Sequence, residues 1–346
     1  MKALAAMSGG VDSSVCARLL LDMGYEVVGA YGRLLAAHTT DLEDSRRICR
    51  TLGIEHRTAE LIPQFEQLVI APFIEAYEKG QTPNPCIECN KKIKFGLLLE
   101  LAQELGCDKL ATGHYARICY DECSGRWLLK KALHPEKDQS YVLYTLSQYQ
   151  LEHTLFPLGE LTKEQVRAIA EKEGFVNARK HDSQDICFVP DGDYAKVIKE
   201  YSGKVSPAGC FVDINGNKLG IHKGIINYTV GQRKGLGISL GERAYVCGID
   251  PKANTVTLGR NSDLFSSKLR ISSINLISLD KIGSPLRAKV KIRYSHREQP
   301  AEIIQLDDDL IEINFDEPQR AVTPGQSAVI YDGDTVVGGG YILPDT

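Results

Sequence analysis

Ala3-Leu4-Ala5-Ala6-Met7-Ser8-Gly9-Gly10-Val11-Asp12-Ser13-Ser14 runs from an apolar pentapeptide straight into a polar, glycine-bearing string. Residues 3–7 are short and uncharged, the pattern of a buried strand. Val15 to Met23 places apolar residues at helical spacing and is stopped by Gly24. Ser8 to Ser14 is therefore a tight turn between a strand and a helix, with Asp12 or Ser13 expected to cap the helix. Two adjacent glycines let the backbone approach a ligand closely, and three serines add hydroxyls. Free amides at a helix start favour a bound phosphate. A Walker loop would end in Gly-Lys-Ser/Thr, and no lysine stands here. An ordinary turn that happens to carry two glycines is the competing reading, and the full string outweighs it.

The chain has 346 residues, 43% hydrophobic and 25% charged, which fits two or three globular domains. Its formal net charge of −4 means that any nucleic-acid site is a local basic patch. No apolar run approaches the length of a membrane span, and the first residues lack the pattern of a signal peptide. Ten scattered cysteines argue for a reducing compartment, and cytoplasm is the expected location.

Downstream of the turn, strands and helices alternate: a strand at 26–31, a helix at 41–52, a strand at 54–58, helices at 65–77 and 94–105, and a strand ending in Gly113-His114-Tyr115. Alternation of this kind predicts an α/β, doubly wound parallel sheet with its site at the carboxyl ends of the strands. The opening loop, Gly32 and Gly113-His114 would converge there. Residues 118–120 and 127–129 flank a turn and read as a hairpin. Thr162 with Gln165 forms a capping-box pattern at a helix start. From about Lys204 short strands with Gly, Asn and Asp turns take over, including 213–217, 245–249 and 255–259. Expected boundaries are 1–203 for a catalytic domain, 204–265 for a β-rich middle module and 266–346 for a β-barrel.

Thr82-Pro83-Asn84-Pro85-Cys86-Ile87-Glu88-Cys89-Asn90-Lys91 puts two thiols near a helix N-terminus with Lys91, Lys92 and Lys94 close behind. That setting predicts lowered thiol pKa values. A third thiol lies in Ile186-Cys187-Phe188. Cys16, Cys49 and Cys107 sit on apolar faces and read as core. A structural zinc site lacks a second ligand pair at the usual spacing. Arg287 to Tyr294 alternates four cations with apolar residues, and RNA phosphates would relieve the repulsion on that face.

The opening loop resembles that of the N-type ATP pyrophosphatases, which split ATP into AMP and pyrophosphate. Together with Thr-Pro-Asn-Pro and Cys89-Asn90-Lys91, Thr112-Gly113-His114-Tyr115, Lys137-Asp138-Gln139-Ser140-Tyr141, Asp182-Ser183, Ile186-Cys187-Phe188, Gly231-Gln232-Arg233-Lys234-Gly235 and Pro324-Gly325-Gln326, it resembles the tRNA-specific 2-thiouridylase family. The resemblance runs in order from residue 6 to about 340. It implies a tRNA-uridine 2-sulfurtransferase that adenylates the C2 oxygen of the wobble uridine and replaces it with sulfur. ATP with Mg²⁺ is implied at Ala6, Met7, Ser8, Gly9, Gly10, Val11, Asp12, Ser13, Gly32 and Gly113. Target-base contacts are implied at Asn84, Pro85 and Cys86, and tRNA contacts at His114, Lys137, Asp138, Gln139, Arg293, Tyr294 and Gln326. By family position Cys187 carries a persulfide and Cys89 is the nucleophile that later forms a disulfide with it. The implied partners are wobble-uridine tRNAs for Lys, Glu and Gln and a cysteine desulfurase or sulfur-relay donor.

In the commoner family pattern an aspartate follows Asn-Pro, where this chain has Cys86. Cys86, Cys89 and Cys187 then also resemble the three-thiolate set of tRNA thiolases that hold a four-iron four-sulfur cluster. Persulfide and cluster schemes both stand open on the sequence. A different ATP-pyrophosphatase-loop enzyme, another thiolase or an amidotransferase-type synthetase, is the alternative, but it would lack the paired Asn-Pro-x-x-x-Cys-Asn and Ile-Cys-Phe sites.

Overall fold

The computed structural model describes residues 1–37, 39–180, 186–189, 192–238 and 243–344. The chain opens β1 (Lys2–Ala6), α1 (Val11–Asp22), β2 (Glu26–Arg33), α2 (Thr39–Leu52) and β3 (Glu55–Glu60). One helical run joins α3 (Ile62–Phe65), a π-helical segment (Glu66–Ile70) and α4 (Ala71–Glu78). A second joins α5 (Pro85–Glu88), a π-helical segment (Cys89–Leu97) and α6 (Leu98–Glu104) before β4 (Lys109–Ala111). Then come the hairpin β5 (Ala116–Asp121) and β6 (Arg126–Lys131), α7 (Gln148–Glu152), β7 (Thr154–Leu155), α8 (Lys163–Lys172) and α9 (Tyr194–Ser202).

The first sheet has the order β3-β2-β1-β4-β7 with every pairing parallel. β1 is apolar throughout its centre because both of its faces are covered. Leu4 packs with Ile87, Leu99, Ala102 and Leu110 on one side, while Ala3 and Ala5 pack with Val15, Ala17 and Leu20 of α1 on the other. This is the expected doubly wound sheet. α1 starts differently from expectation: its N-cap is Gly10, which makes no side-chain cap bond. The Ser13 and Ser14 hydroxyls instead donate back to the Gly10 carbonyl at 2.9 and 3.0 Å. The Thr162 capping box forms as read, with both of its hydrogen bonds present.

β8 (Gly209–Val212), β9 (Lys218–His222), β10 (Tyr245–Asp250) and β11 (Thr255–Gly259) form a small sheet ordered β10-β11-β8-β9. Residues 213–217, expected as a strand, are the turn between β8 and β9. Asp213 accepts from the amides of Asn215 and Asn217 at 2.9 and 2.8 Å, a side-chain-stabilised turn that outcompetes extension. α9 was absent from the sequence reading although Asp193 caps it and Gly203 ends it in a left-handed conformation.

β12 (Phe265–Leu276), β13 (Leu286–Lys291), β14 (Gln299–Asp307), β15 (Leu310–Arg320), β16 (Ser327–Asp332) and β17 (Thr335–Ile342) make the expected antiparallel barrel. Pairing of β12 with both β15 and β17 closes it. The hairpin β5–β6 attaches to this barrel, with Lys130 of β6 opposite Thr335 of β17. Leu129, Tyr141 and Tyr144 share one buried cluster with Leu4 of the parallel sheet and with Val329, Tyr331 and Val336 of the barrel. The two ends of the chain are thus fused through common apolar contacts.

Gly339 lies at the crowded point of that seam. A Cβ there would stand 2.6 Å from the Ala328 carbonyl and 2.9 Å from the Tyr144 ring. Gly339→Ala is expected to lower unfolding free energy by about 1–3 kcal/mol in urea titration. Gly283→Ala, which meets nothing within 4 Å, should leave it unchanged or slightly raised.

Candidate active site

β1 has β2 on one side and β4 on the other, so the carboxyl end of β1 opens into the crevice where such sheets bind ligands. Ala6 ends β1, Gly32 lies near the end of β2, and Gly113 follows β4. Gly113 is pressed against the loop: a Cβ there would stand 2.8 Å from the Asp12 carbonyl carbon and 2.9 Å from the Ser13 nitrogen. Gly9 has φ +73° and a Cβ on it would stand 2.5 Å from the Asp41 carbonyl oxygen. Only glycine fits either place. The Ser8 amide donates to Ser13 Oγ at 3.1 Å, closing the turn on itself. Met7 and Val11 have buried side chains, so they offer the crevice backbone only.

Several polar groups around the loop carried no signal in the sequence. Asp12 Oδ1 accepts from Tyr115 Oη at 2.8 Å and from Lys163 Nζ at 2.6 Å. Asn177 Nδ2 donates to the Gly9 carbonyl at 3.0 Å and to Ser14 Oγ at 2.9 Å. Lys180 Nζ donates to Asp41 and Asp44 at 2.7 and 3.0 Å. Lys163, Asn177 and Lys180 lie far from the loop in sequence, and no local pattern ties any of them to it.

The thiols gather as the reading required, but their chemistry differs from it. Asn84 caps α5 by accepting from the Cys86 amide at 3.1 Å, with Pro85 at the first helical position. Cys89 opens the π-helical segment and is buried in the same apolar cluster as Ile93 and Phe188. Phe188 stacks edge-on against Phe65 and Phe73 at 5.8 and 5.1 Å, which anchors the exposed Cys187 beside it. Burial raises Cys89 to about 11, against a partial counter-effect from Lys94. Crowding by protein raises Cys187 to about 12, with Cys89 and Cys86 adding to it. Cys86 is exposed as a residue, yet its thiol is raised too, chiefly by desolvation. The expected lowering is therefore overturned: desolvation outweighs the helix start and the nearby lysines.

Lys94 is the cation common to all three thiols. Its ammonium sits 3.4 Å from His114 Nε2, while His114 Nδ1 sits 2.6 Å from Thr112 Oγ1. An ammonium can only donate, so Nε2 accepts and the neutral ring carries its proton on Nδ1. Burial, then Lys94, holds the His114 pKa well below its usual value. Among the described residues no three His, Cys, Asp or Glu side chains are placed to share a metal ion. Cys86, Cys89 and Cys187 nevertheless lie near enough to one another for each to act on its neighbours' ionisation.

Residues implied in tRNA contact are mostly engaged in holding loops together. Asp138 accepts from the Ala132 amide and the Ser140 hydroxyl at 2.9 and 2.8 Å, and Gln139 accepts from the Tyr115 amide at 2.9 Å. Lys137, too, has an interaction partner. Gln326 Nε2 donates to the Thr82 carbonyl at 2.6 Å. Arg293 donates to the Val230 and Ala321 carbonyls at 3.3 and 2.7 Å. β13 ends at Lys291, so the expected run of four alternating cations stops short of Arg293, and its charges are not all free. Arg287 forms a bidentate pair with Asp316, and Lys291 lies over the Tyr141 and Tyr294 rings at 5.7 and 5.4 Å. Lys289 alone of the four has no partner among the described residues. Tyr294 remains 44% exposed and is close enough to Cys86 for that thiol to perturb it.

Raised pKa values fix the sign of a pH effect, since a thiolate population grows about tenfold per pH unit below its pKa. In the ligand-free protein, alkylation of Cys89 and Cys187 by iodoacetamide, followed thiol by thiol in mass spectrometry, should still be climbing at pH 9. A plateau below pH 8 would show that a cation outweighs burial.

Three family models cover the chain in succession: "tRNA methyl transferase HUP domain" at residues 1–191, "tRNA methyl transferase PRC-barrel domain" at 195–260 and "Aminomethyltransferase beta-barrel domain" at 266–342. The tRNA-specific 2-thiouridylase MnmA of Clostridioides difficile is 49% identical over 99% of this chain and 98% of its own. That of Acetivibrio thermocellus is 49% identical over 99% of each, and that of Treponema denticola 45% identical over 99% and 98%. With near-complete coverage on both sides and the loop and both thiol segments in place, the chain belongs to the tRNA-specific 2-thiouridylase family.

Proposed function

We propose that this chain is an ATP-dependent tRNA-uridine 2-sulfurtransferase that exchanges the C2 oxygen of the wobble uridine for sulfur. The observation that carries this reading is the pairing of a phosphate-type loop with Cys89 and Cys187, two thiols from distant segments brought near enough for one to shift the ionisation of the other.

A carbonyl oxygen is a poor leaving group, and ATP solves that. The C2 oxygen attacks the α-phosphorus, pyrophosphate departs, and the base carries AMP as its leaving group. The loop at Ser8 to Ser13, with Ala6, Gly32 and Gly113, takes the nucleotide. Mg²⁺ is held by one or two carboxylates plus phosphates rather than by a protein cage, which fits a site where Asp12 is the loop's own carboxylate. Bound there, the ion would supply positive charge against the negative charge developing on pyrophosphate.

A persulfide on Cys187, received from a cysteine desulfurase or a relay protein, attacks C2 through its terminal sulfur and expels AMP. The Cys89 thiolate then attacks the Cys187 sulfur. The S–S bond to the base breaks, a Cys89–Cys187 disulfide forms, and thiouridine leaves with the electron pair. The two thiols are oxidised and the transferred sulfur is reduced, so the balance closes without an outside reductant until the disulfide must be reopened. High thiol pKa values suit this order, since each thiol stays protonated until its turn to react. Asn84, Pro85 and Cys86 face the target base in this reading, and His114, Lys137, Asp138, Gln139, Tyr294 and the barrel face of Lys289 and Lys291 lie toward tRNA. Arg293 and Gln326 contribute by fixing the segments that bear those groups. The acceptors are tRNAs with a wobble uridine, those for Lys, Glu and Gln, and the compartment is the cytoplasm.

The deciding experiment measures two half-reactions on the same variants. Cys89→Ser and Cys187→Ser should lose 2-thiouridine formation while keeping tRNA-dependent pyrophosphate release from ATP. Retention of thiolation by either variant would sink the scheme. Lys289→Glu with Lys291→Glu should weaken tRNA binding and reduce its salt slope by about 2, leaving ATP binding unchanged.

A further inference from the structure

We propose that Lys180 is a clamp for the pyrophosphate part of the nucleotide, held beside the loop by Asp41 and Asp44 until ATP arrives. This rests on the reading of Ser8 to Ser13 as the nucleotide loop and adds a residue from outside that motif.

Among the described residues two lysines reach the loop, and they are placed differently. Lys163 is sealed against Asp12, with 10% of its side chain exposed. Lys180 has 37% exposed and reaches Asp41 Oδ1 at 2.7 Å and Asp44 Oδ2 at 3.0 Å, with the Gly9 carbonyl at 3.5 Å. Its backbone is fixed, because Arg167 donates to the Ala178 and Lys180 carbonyls at 3.2 and 3.3 Å. The side chain is therefore the part free to turn. Asp41 and Asp44 carry two negative charges against one ammonium, so the pair-and-lysine group is net negative beside a loop meant for phosphates. An incoming polyphosphate would be repelled by that group unless the ammonium turned toward it.

Asn177 supplies a second observation at the same place. Its amide donates to the Gly9 carbonyl and to Ser14 Oγ, which withdraws that carbonyl from repelling a phosphate oxygen. Ser14 Oγ gives its own proton to Gly10, so both contacts of Asn177 are to acceptors and the amide orientation is fixed. Its Oδ1 then has no hydrogen-bond partner among the described residues, although Asn177 is only 3% exposed. A buried orphan acceptor costs stability, and here it is the consequence of turning the donor to the loop. Asn177 thus shapes the loop and Lys180 adds the mobile charge, which would also oppose charge building on the departing pyrophosphate.

The test compares ligands that differ in phosphate number. Binding of ATP, inorganic pyrophosphate and AMP is measured calorimetrically on the full chain and on Lys180→Met, Lys180→Arg and the triple variant Lys180→Met with Asp41→Asn and Asp44→Asn. Lys180→Met should weaken ATP and pyrophosphate about ten- to a hundredfold and AMP about twofold or less, with Lys180→Arg keeping most of the affinity. The triple variant should remain as weak as Lys180→Met for pyrophosphate. Equal losses for ATP and AMP, or full recovery in the triple variant, would overturn the clamp, since Lys180 would then only neutralise two aspartates. Failure of the unsubstituted chain to bind ATP at all would instead overturn the nucleotide reading beneath it.

Discussion

Contact without side chains between Gly113 and the backbone of Asp12 and Ser13 is the constraint around which the crevice is built. It requires β1 and β4 to be neighbours, and the parallel sheet supplies that. It requires the loop to lie flat, and the Ser8, Ser13 and Ser14 hydroxyls turn inward onto Ser13 and Gly10 to keep it so. Tyr115, two residues beyond Gly113, then pins Asp12 from the far side. A methyl group at residue 113 would open the joint between loop and strand, and every partner of Asp12 would shift with it.

The thiol site obeys a different balance. Burial penalises each thiolate, and one ammonium is shared among three of them. The π-helical turn matters to that sharing. In a regular α-helix residue 94 would lie about 140° around the axis from residue 89, whereas hydrogen bonding over five residues brings such a pair onto one side. His114 then receives the ammonium as a neutral acceptor, its other nitrogen committed to Thr112. The result is a cation held in place with no carboxylate paired to it among the described residues.

Features written in a few consecutive residues were readable in advance. The Ser8 to Ser14 turn, the alternation of strands and helices, the Thr162–Gln165 capping box and the antiparallel barrel all depend on local pattern. What escaped depends on partners remote in the chain. Nothing near Arg117 to Lys131 says that this hairpin will bond to β17 some two hundred residues later. The sign of the thiol shifts escaped for the same reason, because Cys89 is buried among Phe188 and other residues remote in the chain as well as Ile93 of its own helix. Arg293 looks like a phosphate ligand in an alternating basic strand, yet its guanidinium is bonded to Val230 and Ala321. Where Asp213 was taken for strand, the local competitor was present in the sequence, a side chain able to accept from two following amides.

Thr82 and Glu88 bracket the thiol-bearing α5, and both are tied to the far end of the chain. The Thr82 amide donates to the Pro324 carbonyl at 2.9 Å, Gln326 returns a bond to the Thr82 carbonyl, and Tyr341 donates to Glu88. The barrel and the thiol helix are therefore linked in mechanical series, like a handle and a blade. A load placed on the rim of the barrel by a docked polymer passes through these bonds to the few residues that aim Cys86 and Cys89.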